Sequence, residues 1–325
     1  MRIIDVREMS VPLMASGANA VVSFDSHTVS FVAVISDQKP NEKPQRQREV
    51  GHWIKLNTPH TLPATSYGRH LMSDIFDMTG KRVLITGGAT GLGLVAASAL
   101  ARYGAEVILG ARRINRVEES VASIQSNGGR AKGISLDVSD ADSVSGALAT
   151  ILEDGRIDVL INNAGVVGDK MLIEETEADW DRIYNTKLRA IFTLSQRIAK
   201  AMAGDQAGGN IIKMASILGY TTQKGTATYP SAKAALIQLT RSMAVEWARY
   251  NVRVNAIAPG YFRTELADDW LDSEGGQNMI KRAPLRRIGV PSELEGVVLL
   301  LASSAGSYMT GSVVTVDGGL SIPQI

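Results

Sequence analysis

The stretch Lys81-Arg82-Val83-Leu84-Ile85-Thr86 runs straight into Gly87-Gly88-Ala89-Thr90-Gly91-Leu92-Gly93, and then into an alanine-rich segment that stops at Gly104. Its apolar residues leave no polar face, the pattern of a parallel strand buried on both sides. Glycine lets backbone come close to a pyrophosphate, and a helix that starts after the turn offers unpaired N–H groups and a positive dipole end. A glycine-rich turn is weak alone. Between a strand and a helix it has the context that dinucleotide binding requires. Thr86, Gly87, Thr90, Gly91, Leu92 and Gly93 are therefore candidate cofactor residues.

More strand–helix units follow. Glu106–Ala111 reads as the second strand. An acid at its end would hold a ribose 2′-hydroxyl and favour NAD. The chain instead has Ala111, then Arg112 and Arg113, whose guanidinium groups suit a 2′-phosphate, so NADP is the expected cofactor and NAD the alternative. The plainer reading is that two arginines open a solvated helix. Residues 133–138 form a further strand that would place Asp137 and Val138 near the adenine. Residues 157–165 form the fourth strand and its turn, with Asn163, Ala164 and Gly165; Asn-Asn-Ala-Gly by itself is more often just a turn. The alternation predicts an α/β fold, a Rossmann-type doubly wound parallel sheet in a single domain with an N-terminal extension.

Tyr229-Pro230-Ser231-Ala232-Lys233 carries the candidate chemistry, with Ser216 upstream. On a helix, four residues bring Tyr229 and Lys233 to one face, an ammonium beside a phenol. A nearby cation favours phenolate and is expected to pull a pKa of about 10 toward the working pH. A tuned phenol gives a proton to a carbonyl or takes one from an alcohol, and a serine hydroxyl holds the same oxygen. Alone, the pair also fits an ordinary amphipathic helix with a packed Tyr and a snorkelling Lys.

Composition narrows the chemistry. The 325 residues contain no cysteine, which removes disulfides, thiolate catalysis and cysteine-based zinc sites and suits a reducing cytoplasm. His27, His52, His60 and His70 are the only histidines, so proton chemistry after residue 70 falls to Tyr, Lys, Asp or Glu and no metal site is expected. With 34 Lys and Arg against 33 Asp and Glu, the formal charge of +1 makes no case for nucleic acid or acidic membranes. The uncharged window 296–316 holds Ser303, Ser304, Gly306, Ser307 and Thr310, and reads as helix, turn and strand rather than a membrane span. Residues 1–37 alternate as β-strands do, a hairpin or small meander. Residues 38–73, with Pro40, Pro44, Pro59 and Pro63, have linker composition and are expected to be poorly ordered. The main domain is placed at 74–325.

Thr86-Gly-x-x-x-Gly91-x-Gly93, Asn162-Asn163-Ala164-Gly165, Ser216 and Tyr229-x-x-x-Lys233 come in the order seen in short-chain dehydrogenases/reductases, and residues 76–325 resemble that family. The resemblance implies hydride transfer between a nicotinamide and a carbonyl or secondary alcohol. It makes Tyr229 the general acid/base and gives Lys233 the lowering of its pKa and a hold on the nicotinamide ribose. Ser216 would polarise the substrate oxygen, and Asn185 in Trp180-Asp181-Arg182-Ile183-Tyr184-Asn185-Thr186-Lys187 would hold a relay water. Pro259, Gly260 and Thr264 follow the sixth strand, Thr264 toward the carboxamide. Within the family the chain is similar to 3-oxoacyl-carrier-protein reductases and gluconate-type dehydrogenases. A homodimer or homotetramer is implied. Residues 261–288 would form a lid, with Tyr220, Tyr261 and Trp270 as candidate lining residues. Residues 1–8 and 28–37 resemble the start of an enolase-superfamily capping domain without its metal-binding barrel. Two other readings remain: an NADP-binding scaffold without turnover, and a reductase whose leader recruits a sugar-acid dehydratase.

Overall fold

Alternate side chains of the strand Arg82–Thr86 (β1) enter two different cores. Val83 and Ile85 face one layer and Leu84 the other, and Glu106–Ala111 (β2) repeats this with Val107 and Leu109 against Ile108. Successive residues of a strand point to opposite faces, so a strand apolar throughout must be covered on both sides. The cover is helical. Leu100 of helix α1 (Gly91–Arg102) and Val117 of α2 (Ile114–Ser126) lie in the first core. Val144 and Leu148 of α3 (Ala141–Glu153) lie in the second. Burying each such valine or leucine is worth about 1.5–3 kcal/mol.

The computed structural model describes residues 19–25, 28–34, 75–165, 170–265 and 268–323. The chain divides into two compact units, residues 1–62 and 63–325. In the first unit, Asn19–Asp25 pairs antiparallel with Thr28–Val34, Asp25 opposite Thr28. The rest of the β-rich stretch expected over 1–37 and the linker expected at 38–73 lie outside the described residues.

The second unit completes its sheet with β3 (Arg130–Ser135), β4 (Val159–Asn162), β5 (Gly209–Met214), β6 (Val252–Pro259) and β7 (Val313–Val316). The order is β3-β2-β1-β4-β5-β6-β7, parallel throughout. This is the doubly wound sheet that the strand–helix alternation predicts. The order reverses between β1 and β4, and in such sheets the ligand crevice opens there, beyond the carboxyl ends of the strands.

Helix α4 (Glu177–Tyr184) starts with a capping box between Thr176 and Asp179 and runs into a π-helical turn, Asn185–Arg189, before α5 (Ala190–Gly204). Helix α6 (Thr228–Trp247) carries Pro230 in its first turn, where the missing N–H costs nothing. After β6 come α7 (Asp268–Asp272) and α8 (Glu274–Arg282), then α9 (Glu295–Ala302). The uncharged window 296–316 is thus α9, a turn and β7. No described helix is long and apolar enough to cross a membrane.

Candidate active site

Thr86 ends β1 almost fully buried, and its Oγ1 accepts the backbone N–H groups of Asn163 and Ala164, both at 3.1 Å. Asn163 Nδ2 answers by donating to the carbonyls of Thr86 (3.2 Å) and Gly87 (2.9 Å). These bonds lock the turn after β1 to the turn after β4, so Thr86 and Asn163 shape the crevice. Gly87 takes φ +62° and Gly91 φ +54°, in the left-handed region that favours glycine. A Cβ on Gly93 would overlap Gly87 O and Asn163 Nδ2. Thr90 caps α1 from extended backbone without a side-chain cap bond, leaving the first N–H groups of α1 open toward the crevice. Thr264 stands across from them, its Cγ2 3.8 Å from where a Cβ on Gly91 would lie.

The crevice has a volume of 180 Å³ and takes in Gly87, Thr90, Ala164 and Gly165 at one end. At the other stand Arg112, Arg113, Asp137 and Val138, joined by Arg116, which the sequence reading passed over. Burial pushes the Asp137 carboxyl up, but hydrogen bonds from Ser139 Oγ (2.6 Å) and N (2.9 Å) and the Arg112 charge outweigh it and hold the pKa below its ordinary value. The rim is therefore cationic, and β2 ends in Ala111 with no carboxylate to repel a phosphate. An uncapped helix start, glycines that a Cβ would clash with, and three arginines fit a dinucleotide carrying an additional phosphate. Pro259 ends β6, and Gly260 packs on Asp317 while donating its N–H to Val316 O at 2.8 Å. These two set the backbone from which Thr264 is presented.

Ser216, Tyr229 and Lys233 converge. Ser216 ends the β5 turn, accepts Leu218 N–H at 3.1 Å and donates its hydroxyl to the Tyr229 phenol. Lys233, one helical turn from Tyr229, is 2% exposed, donates Nζ–H to Met214 O and lies 5.5 Å from the Tyr229 ring centroid. One expectation is corrected here. The phenol is not pulled down: burial raises the Tyr229 pKa above its usual value, and the Ser216 bond only offsets part of this. Lys233 is itself pushed well below the usual lysine range, by burial first and then by the charge of Lys187.

Lys187 is the group that sequence reasoning missed. It is buried, with Nζ 5.3 Å from the same Tyr229 centroid. Asn185 opens the same π turn and lines an open 710 Å³ groove with Trp180, Tyr184, Phe192 and Leu239. That larger groove is mostly apolar, while the glycine-rich turn and the arginine rim line the smaller crevice.

In the segment after β6, Tyr261 neighbours the phenol. Tyr261 stacks on Trp270 at 5.0 Å and donates its hydroxyl to Gln223. Burial, then the neighbouring Tyr229, pushes its pKa up to about 12. Tyr220 instead is half-exposed, bonded to Thr315 with Arg241 nearby.

Residues 87–321 match the family model described as enoyl-(acyl carrier protein) reductase. The chain is 37% identical to gluconate 5-dehydrogenase of Gluconobacter oxydans, over 77% of this chain and 98% of that protein. It belongs to the short-chain dehydrogenase/reductase family. Members of this family are oxidoreductases acting on alcohol and keto groups, and this chain is one of them. It is also 36% identical to 3-oxoacyl-[acyl-carrier-protein] reductase FabG of Thermotoga maritima, over 75% of this chain and 99% of the relative. The crystal structure of a gluconate 5-dehydrogenase from Burkholderia cenocepacia J2315, in complex with NADP and tartrate, superposes with a TM-score of 0.75 at 32% identity, covering 78% of this chain and 100% of that one. The likeness of the leader to an enolase cap is not supported by these comparisons, and most of the residues that carry it lie outside the described ones.

Proposed function

We propose that this short-chain dehydrogenase/reductase interconverts a keto and a hydroxy sugar acid with NADP(H), Tyr229 acting as general acid and base. The observation that carries the reading is the meeting of Ser216, Tyr229 and Lys233 next to a crevice whose far rim holds Arg112, Arg113 and Arg116. Gly87, Thr90, Gly91, Leu92 and Gly93 would cradle the pyrophosphate. The three arginines would take the 2′-phosphate, with Asp137 and Val138 beside the adenine. Ala164, Gly165, Pro259, Gly260 and Thr264 would border the nicotinamide end, and Lys233 would hold its ribose. The bound cofactor supplies or accepts the hydride.

The protein's own steps concern the proton. Ser216 holds the substrate oxygen, and Tyr229 protonates it in reduction or takes its proton in oxidation. A phenol whose pKa is raised by burial keeps its proton at neutral pH, which suits reduction. Tyr261 and Trp270 enclose the reacting oxygen and exclude water. The gluconate-acting relatives support a sugar acid over an acyl thioester. A homodimer or homotetramer would cover the α4–α6 face, where Trp180 and Phe192 are 43% and 40% exposed. A cysteine-free chain that uses NADP(H) also suits the cytoplasm.

The test is initial-rate oxidation of NADPH and NADH with keto-sugar acids, acyl-thioester ketones and simple ketones. NADPH is expected to outperform NADH by roughly tenfold or more, the worth of one charge-assisted contact, with sugar acids turned over fastest. Turnover of acyl thioesters alone would contradict the substrate reading, and a preference for NADH the cofactor reading.

A further inference from the structure

Gln223 lies between Ser216 and Tyr229 in the chain, and Tyr261 follows β6. Their side chains meet, the Tyr261 hydroxyl donating to Gln223 Oε1. Both stand on held backbone. Thr226 Oγ1 donates to the Gln223 carbonyl at 3.1 Å and Tyr229 N–H to Thr226 O at 3.0 Å, which ties Gln223 to the first turn of α6. The Tyr261 carbonyl accepts Gly289 N–H at 2.9 Å, and the next residue, buried Phe262, pairs with Gly289 in a parallel bridge. Trp270 stacks on the Tyr261 ring, so the hydroxyl is left as the polar edge of an aromatic pair.

The bond fixes what each side chain has left to offer. With Oε1 taken, the Gln223 amide presents its N–H donors, and among the described residues no acceptor is bonded to them. The Tyr261 oxygen has given its proton to Gln223 and can only accept. A donor and an acceptor thus stand side by side, next to Tyr229. A hydroxyl answers both, accepting from Gln223 Nε2 and donating to Tyr261 Oη. A methylene answers neither, and a carboxylate or second keto oxygen only accepts.

Resting on the reading of Tyr229 as the acid, which puts the reacting oxygen beside it, we propose that Gln223 and Tyr261 are the specificity pair of this site. Together they take a hydroxyl on the carbon next to the reacting one, and so select α-hydroxy ketones and vicinal diols over plain ketones and alcohols. Tyr261 neighbours Tyr229, so the group it meets is on the adjoining carbon rather than at the far end of the substrate. The hydrogen bonds close a ring: Tyr261 O–H to Gln223 Oε1, Gln223 N–H to the substrate hydroxyl, and that hydroxyl to Tyr261 Oη. A ligand without the hydroxyl leaves a desolvated donor and acceptor unpaired, the cost on which such discrimination rests.

The test is NADPH-dependent reduction of two simple ketones that differ only in a hydroxyl on the carbon beside the keto group. The wild type is expected to favour the hydroxylated ketone by about a hundredfold or more in kcat/KM. In Gln223→Leu and in Tyr261→Phe the preference is expected to fall to within about tenfold, the loss falling on the hydroxylated ketone. The double variant is expected to lose no more than either single one, since each breaks the same ring. Unchanged melting temperatures, and NADPH dissociation constants within about twofold of wild type, show that fold and cofactor site are intact. Without turnover, quenching of the Trp270 emission that Trp270→Phe removes reads binding of the same ketones to the NADP-loaded protein, and is expected to follow the same order. A wild type with no preference, variants that keep it, or additive losses overturn the proposal. Neither ketone carries a carboxylate, so failure of the sugar-acid reading leaves this test standing.

Discussion

Lys213 is the largest fully buried side chain among the described residues, on β5 with Nζ 2.7 Å from Met243 Sδ. Burial lowers its pKa to about 7 from an ordinary 10.5. Between those values the unfolded chain holds a proton that the folded chain lacks, so stability rises with pH by up to about 1.4 kcal/mol per unit. Below the folded pKa both states are protonated and the loss is complete. Lys213→Met is expected to remove that slope and to stabilise the fold by roughly 1–4 kcal/mol at neutral pH. Urea unfolding near pH 7 and pH 9 checks it; equal slopes in the two proteins would contradict the buried-amine account. The arginine rim is a second matter of single residues. Arg112→Ala and Arg116→Ala are each expected to weaken NADPH by about tenfold, the worth of a charge-assisted hydrogen bond, and to leave NADH within about twofold. Titration by intrinsic fluorescence reads both; equal losses for the two cofactors would contradict a 2′-phosphate role. Arg112 and Arg113 were readable because they follow a strand end. Arg116 was not, since its place depends on how α2 leaves that strand.

Elements show where sequence spacing is reliable and where it fails. Tyr229 and Lys233 lie one regular turn apart on α6, so their shared face could be read directly. The turn after β1 was equally readable, because strand, glycines and helix are contiguous. The segment 177–204 was less legible: Asn185 came forward only through the family resemblance, and the π turn Asn185–Arg189 also carries Lys187 to the Tyr229 ring. Nothing in Tyr184-Asn185-Thr186-Lys187 announces that turn. Just before it, Tyr184 bonds Ser231 of α6 at 3.2 Å, a contact that no local spacing predicts. The fastening of β1 to β4 makes its own prediction. Thr86→Val keeps the shape and removes the acceptor of two part-buried N–H groups, at roughly 1 kcal/mol each. A melting temperature lowered by several degrees is expected, with weaker NADPH binding; an unchanged melt would show that the fastening is not needed.

At the scale of the whole molecule, every residue assigned to the crevice and the catalytic cluster falls within residues 63–325. The strand order was legible in outline, since alternating strands and helices imply a parallel sheet, but its reversal at β1 and β4 is a long-range property. Removing residues 1–73 is expected to leave kcat/KM within about twofold, because it deletes no residue assigned to the crevice or the catalytic cluster. A large loss on truncation would place part of the site in the leader. The central claim is that Tyr229 moves the proton. It is tested most directly by NADPH-dependent reduction of a keto-sugar acid by Tyr229→Phe, with NADPH affinity measured on the same preparation. The expected result is a loss of roughly 10²–10⁴-fold in kcat with binding retained. A variant that binds NADPH and still turns over at the wild-type rate would contradict the account.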